Sequence, residues 1–192
     1  MRDMLETDAS AWLRRAVDEY FDLNAQYPGV YLAGTSMGAI LAAVIAARFD
    51  VRRVALLAPA FRNTRRSIIL APYLRRIIPR VRGDWREDHE SDPRAREMGR
   101  EYATYNYTAM AAEMLRMQRI GLRALPDLRA ETLVVVSRAD RTVPLGVAEL
   151  IERRSSAARV ETVIVDRSNH HLAEHIDRDI VADAVVRWFA GR

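Results

Sequence analysis

From Asp8 to Tyr27, apolar residues recur at helical spacing: Ala11, Trp12, Ala16, Tyr20 and Leu23. The pattern predicts a helix. Asp8 or Ser10 is placed to cap it, and Pro28-Gly29 stops it. Val30-Tyr31-Leu32-Ala33 is a short apolar run that predicts a buried strand. Gly34-Thr35-Ser36-Met37-Gly38 then reads as a sharp turn, and Ala39 to Phe49 as an alanine-rich helix. Val51 to Leu57 predicts a second strand, ended by Ala58-Pro59. Strands that are apolar on both faces, alternating with helices, imply a parallel sheet covered by helices.

The rhythm breaks from about Phe61 to Asp127. This stretch is rich in arginine, contains Pro72, Pro79 and Pro93, and turns helical from Pro93 to Leu122. It reads as an inserted helical segment. Leu133-Val134-Val135-Val136 resumes the strands, Pro144 to Arg153 is a helix, and Val160 to Val165 is another strand. Ile176 to Phe189 closes the chain as a helix with Ile176, Ile180, Ala184 and Trp188 on one face. The pattern predicts one α/β domain, its core at about 8–60 and 128–192 and its insertion at about 61–127.

Composition narrows the chemistry. The 192 residues are 49% apolar and 29% charged, enough for one domain with a real core. No apolar run reaches the ~18 residues of a spanning helix. The charged start, Met1-Arg2-Asp3-Met4-Leu5-Glu6, is unlike a signal peptide. A cytoplasmic protein without stable membrane insertion is expected. There is no cysteine, which excludes disulfides, a zinc ribbon and a thiol nucleophile. All 30 basic residues are arginine, which excludes a Walker-type lysine, a Schiff base and a Ser–Lys dyad. The net charge of +4 is spread among 26 acids, so no nucleic-acid partner is expected. A basic run of Arg62, Arg65, Arg66, Arg75, Arg76, Arg80, Arg82 and Arg86 is read as a solvated helix face.

Gly34-Thr35-Ser36-Met37-Gly38 is G-x-S-x-G between an apolar strand and a helix. A serine on so tight a turn is forced into a strained conformation and projects from the sheet. Gly34 and Gly38 are the small flanking residues expected to let strand and helix approach. The Met37 N–H, at the helix N-terminus, is placed to bind an oxyanion. A serine nucleophile needs a base, and the base a carboxylate. Asp140 follows the strand Leu133–Val136, and His170 follows Val160–Val165. Ser36, Asp140 and His170 thus fall at three strand ends, where open α/β sheets place their sites. His171 is the neighbouring alternative to His170. His171-Leu172-Ala173-Glu174-His175 also matches an inverted zinc-protease motif, H-x-x-E-H. No glutamate follows it to complete a ligand set, so it is read as the first turn of the last helix, with no metal.

Ala33-Gly34-Thr35-Ser36-Met37-Gly38-Ala39, Arg138-Ala139-Asp140-Arg141-Thr142-Val143-Pro144 and Ser168-Asn169-His170 together resemble the α/β-hydrolase superfamily, nearest to small bacterial carboxylesterases and monoacylglycerol lipases. The resemblance runs from about Ala11 to Phe189. It implies a Ser36–Asp140–His170 triad acting through an acyl-enzyme on a small-molecule ester, with no cofactor. It also places 61–127 where the family inserts a lid. Ile68, Ile69, Leu70, Tyr73, Met110, Met114 and Met117 are the residues expected to line an apolar pocket beneath it.

The family carries several strands before its nucleophile strand, and their loop supplies a second oxyanion donor. Here one helix and one strand precede Ser36. Four further strands with connections would need roughly 50 residues. The chain therefore resembles the C-terminal three-quarters of such an enzyme. Two function classes stay open: a serine ester hydrolase, and a weak or silent hydrolase-fold protein that binds a ligand or partner. With earlier strands missing, Val30–Ala33 becomes a sheet edge, with Trp12 and Tyr20 exposed beside it, and a homodimer is expected.

Overall fold

The structure is a computed structural model describing residues 7–83, 105–157 and 159–191. Its helices are α1 (Ala9–Gln26), α2 (Met37–Arg48), α3 (Ala71–Leu74), α4 (Thr108–Ala124), α5 (Val147–Arg154) and α6 (Arg178–Ala190). Its strands are β1 (Leu32–Thr35), β2 (Arg53–Leu57), β3 (Arg80–Arg82), β4 (Tyr105–Tyr107), β5 (Glu131–Ser137) and β6 (Val160–Val165). The chain divides into two compact units, one of residues 9–65 and 116–192, the other of residues 1–8 and 66–115.

The larger unit is an α/β arrangement, a parallel sheet flanked by helices, as the sequence pattern leads one to expect. Its order is β1-β2-β5-β6. All three pairings are parallel, with Thr35 opposite Leu57, Leu57 opposite Val135, and Ser137 opposite Val165. Alternation sends Ala55, Leu57, Leu133, Val135 and Val165 to one face, where they pack with Val181 and Trp188 of α6. Val54, Leu56 and Val134 point the other way and are fully buried. Helix α2 is mostly alanine, isoleucine and valine and is buried on every side from Ala42 to Ala46. An all-apolar helix of this kind belongs inside.

In the smaller unit, β3 and β4 pair antiparallel, with Val81 opposite Asn106. Arg80 stacks over Tyr105, its guanidinium carbon 4.5 Å from the ring centre. The Thr108 hydroxyl donates to the Ile78 carbonyl. Arg86 and the N-terminal part of the helix expected from Pro93 lie outside the described residues.

Several expected boundaries move. The first strand is Leu32–Thr35, not Val30–Ala33, and α2 starts at Met37, not Ala39. Strand and helix are therefore separated by Ser36 alone. The last helix starts at Arg178 and so leaves Ile176 outside it; Ile176 and Ile180 are both exposed, and the buried residues of the helix are Val181 and Trp188. Residues 171–177 form turns, so His171 and His175 do not share a helical face. Tyr20 is buried rather than exposed; it stacks on Phe49 at 5.4 Å, while Phe21 beside it is half exposed. None of the described helices is long and apolar enough to cross a membrane.

Candidate active site

Ser36, Asp140 and His170 each follow a strand of the parallel sheet: β1, β5 and β6 in turn. Ser36 occupies φ 56°, ψ −114°, a conformation that costs a residue with a Cβ roughly 1–3 kcal/mol. Two backbone bonds from the exit of β2 hold it there. The Ser36 N–H donates to the Leu57 carbonyl at 2.8 Å, and the Ala60 N–H donates to the Ser36 carbonyl at 3.2 Å. Between them Ala58 is itself at positive φ, 42°, fully buried, with its N–H bonded to the Val135 carbonyl at 2.8 Å. Hydrophobic patterning does not reveal this clamp. Its local sign is the small-residue run Ala58-Pro59-Ala60 directly after an apolar strand.

The two flanking glycines differ. A Cβ on Gly34 would collide with the Gly38 backbone, whereas a Cβ on Gly38 would meet nothing within 4 Å. Of the two, Gly34 is the one at which the close approach of strand and helix leaves no room for a side chain.

Ser36 is the N-cap of α2, yet its side chain makes no capping bond. Its Oγ instead lies 2.8 Å from His170 Nε2. Met37 is the first residue of α2, so its N–H is one of the donors a helix leaves unpaired at its N-terminus. On the far side of the imidazole, His170 Nδ1 is 2.9 Å from Asp140 Oδ2. Asp140 Oδ1 accepts from the N–H groups of Thr142 (2.7 Å) and Val143 (3.0 Å). The Asp140 side chain is 2% exposed.

Burial is the largest influence on Asp140 and pushes its pKa up. The hydrogen bonds from His170, Val143 and Thr142 and the charge of His170 together outweigh it, and the carboxyl ends below its ordinary value. An ionised Asp140 has no proton to share, so the proton in the pair sits on His170 Nδ1. In the neutral imidazole Nε2 then faces the Ser36 hydroxyl as an acceptor.

His171 is exposed; its ring sits edge-on to that of His170, and its N–H donates to Asn169 Oδ1 at 2.8 Å. His175 Nδ1 accepts the Asn169 N–H at 3.4 Å. Among the described residues no three His, Asp or Glu side chains cluster to hold a metal. Of the residues expected to line an apolar pocket, Met117 is fully buried, while Ile69, Leu70 and Tyr73 are exposed.

None of the curated proteins matches the sequence. Solved structures do. One comes from work on LipS and LipT, two metagenome-derived lipolytic enzymes, with TM-score 0.86 and 18% identity over 98% of this chain and 76% of that one. The monoacylglycerol lipase of Paleococcus ferrophilus has TM-score 0.75 and 15% identity over 96% of this chain and 76% of that one. A soluble variant of the Saccharomyces cerevisiae monoglyceride lipase, in complex with a substrate analogue, has TM-score 0.72 and 13% identity over 95% and 68%. At such identities the likeness is one of fold. The sequence itself matches the model of the alpha/beta hydrolase family over residues 3–184. With nearly the whole chain inside that match, and its sheet and turns arranged as described, the protein belongs to the alpha/beta hydrolase family.

Proposed function

We propose that the protein is a serine ester hydrolase, with Ser36 as nucleophile, His170 as general base and then acid, and Asp140 as the carboxylate that orients His170. The observation that carries this is the unbroken relay of Asp140 Oδ2 to His170 Nδ1 at 2.9 Å and His170 Nε2 to Ser36 Oγ at 2.8 Å, on a serine held at φ 56°.

In this mechanism Ser36 Oγ attacks the ester carbonyl carbon as His170 Nε2 takes its proton. The carbonyl oxygen becomes an oxyanion and accepts the Met37 N–H. Collapse expels the alcohol, protonated by His170, and leaves an acyl-Ser36. Water, deprotonated by His170, attacks that acyl group and returns the free serine and a carboxylic acid. The first half-reaction uses only the ester and the chain's own groups, and the second adds one water. Asp140 stays ionised throughout and stabilises the imidazolium. The lipase and esterase names among the fold neighbours support an ester as substrate.

The test is covalent labelling by a fluorophosphonate, together with hydrolysis of p-nitrophenyl butyrate. Wild type is expected to react in both assays. Ser36→Ala is expected to abolish labelling, and His170→Ala to cost on the order of 10⁶-fold in turnover. His171→Ala is expected to stay within a few-fold of wild type, because its ring is exposed beside His170. An unlabelled wild type, or hydrolysis unchanged in Ser36→Ala, overturns the assignment and favours a silent binding protein.

A further inference from the structure

His170 stands on residues 166–177, a stretch without regular structure between β6 and α6. At the end of that stretch is Asp177, 3% exposed. Its position is the N-cap of α6, yet its side chain makes no capping bond to that helix. The carboxylate turns back instead. Oδ2 accepts the N–H groups of Arg167 (2.9 Å) and Ser168 (2.7 Å), and Arg167 Nε lies 3.4 Å from Oδ1. The Asp177 N–H in turn donates to Ser168 Oγ at 2.9 Å.

The path continues. Ser137 Oγ donates to the Ser168 carbonyl and accepts the Ala139 N–H at 3.1 Å. Ser137 and Ser168 are both fully buried, at 1% and 0% exposure. Ser168 is two residues before His170, and Ala139 is the residue before Asp140. One buried hydrogen-bonded chain therefore links the loop of the imidazole to the loop of its carboxylate partner.

We infer that Asp177, acting through Ser168 and Ser137, is a positioning residue that sets the distance and angle between Asp140 and His170. The inference rests on the proposed role of His170. Burying a carboxylate is costly unless its oxygens are satisfied, and an exposed residue would cap α6 as well. What the buried site adds is a fully satisfied network, which admits one geometry. Burial pushes the Asp177 pKa up, but the bonds from Arg167 and Ser168 and the Arg167 charge outweigh it, so the carboxyl lies below its ordinary value and keeps its charge. The network ends on the loops of His170 and Asp140, so Asp177 acts on the reaction through that pair.

The test compares Asp177→Leu, Asp177→Asn and Ser137→Ala in the full chain. It reads kcat and KM for p-nitrophenyl butyrate, and the downfield proton resonance of His170 Nδ1–H. Asp177→Leu is expected to lower kcat about 10²-fold, the scale of a 1 Å misplacement, with KM within about twofold, and to broaden or remove the resonance. Asn keeps an oxygen for the two N–H groups and is expected to recover most of both. Ser137→Ala cuts the same path with a smaller change of shape. It is expected to lose roughly tenfold in kcat, and it serves if the leucine variant does not fold. Unchanged kcat and resonance in Ser137→Ala or in folded Asp177→Leu overturns the inference while leaving the hydrolase reading intact. A wild type that neither hydrolyses nor labels, but shows a resonance that Asp177→Leu removes, does the reverse.

Discussion

A Cβ on Gly34 would lie 2.3 Å from the carbonyl oxygen of Gly38, while a Cβ on Gly38 would lie in open space. The pair is symmetric in the motif and asymmetric in three dimensions. What Gly34 would strike is backbone at the start of α2, which cannot rotate away. Gly34→Ala is expected to cost about 1–3 kcal/mol as overpacking and to lower Ser36 labelling at least about tenfold. Gly38 lies within α2, where alanine is better than glycine by about 1 kcal/mol. Gly38→Ala is expected to keep or raise stability and to keep labelling. Thermal melts and a fluorophosphonate time course on the two variants decide it; equal loss in both would contradict the asymmetry.

Gly121 tests the same reasoning away from the site. A Cβ there would sit 2.4 Å from Ile40 Cγ2 and 2.8 Å from Phe61 Cε1. Both side chains are fully buried, at 0% and 1% exposure, so neither has room to yield. Alanine would gain about 1 kcal/mol of helix propensity and lose roughly 1–3 kcal/mol to overpacking. Overpacking outweighs propensity, and Gly121→Ala is expected to melt below wild type. A higher melting temperature would show that α2 and α4 have slack between them.

Acid should unfold the protein partly through Asp140. Its folded pKa lies below its unfolded value, which is near 3.9. The stability it contributes is therefore complete above about pH 4 and is lost as pH falls through the folded value. Asp140→Asn removes that titration. Urea midpoints measured from pH 7 down to pH 2.5 are expected to fall more steeply below pH 4 in wild type than in the variant. Parallel curves would mean that Asp140 carries no such linkage.

Among the described residues β1 is the outermost strand of its sheet, and Leu32–Thr35 holds no charge and no proline. Ala33 and Thr35 are exposed along it. An edge of this kind is a template for pairing with another strand, and a two-fold dimer through β1 is the simplest closed form. Light scattering at micromolar concentration is expected to give twice the monomer mass, and Ala33→Lys to give the monomer. A monomeric wild type would count against the pairing.

Much of this architecture was legible because it is written locally. Val54–Leu57 and Leu133–Val136 are apolar runs that have nowhere to go but a buried sheet, while Val160–Val165, with Glu161 and Thr162, shows the alternation of a half-exposed strand. The tight turn at Ser36 is announced by its own neighbours. Boundaries were less legible. Val30 and Tyr31 look like strand, but the pairing register starts at Leu32 opposite Val54. Ile176 and Ile180 look like a buried helical stripe, but Trp188 and Val181 set the phase of α6 against the sheet. The roles of Ala58, Ser137 and Asp177 were not legible at all. Each depends on a backbone group outside its own local pattern: Val135 for Ala58, Ser168 for Ser137, Arg167 for Asp177. An aspartate ahead of a helix reads as a cap whether or not it caps.

The bonds that Leu57 and Ala60 make to Ser36 belong to a segment more than twenty residues further on. Cut from β2, the stretch from β1 to α2 would relax and leave an ordinary alcohol. On the proposed mechanism the reactive hydroxyl is thus a product of folding, absent until neighbouring strands have docked. A chain still exposing its apolar strands carries an inert serine. Labelling by a fluorophosphonate then counts assembled sheets, molecule by molecule, and the fraction labelled during refolding is expected to report when β1, β2, β5 and β6 have all come together.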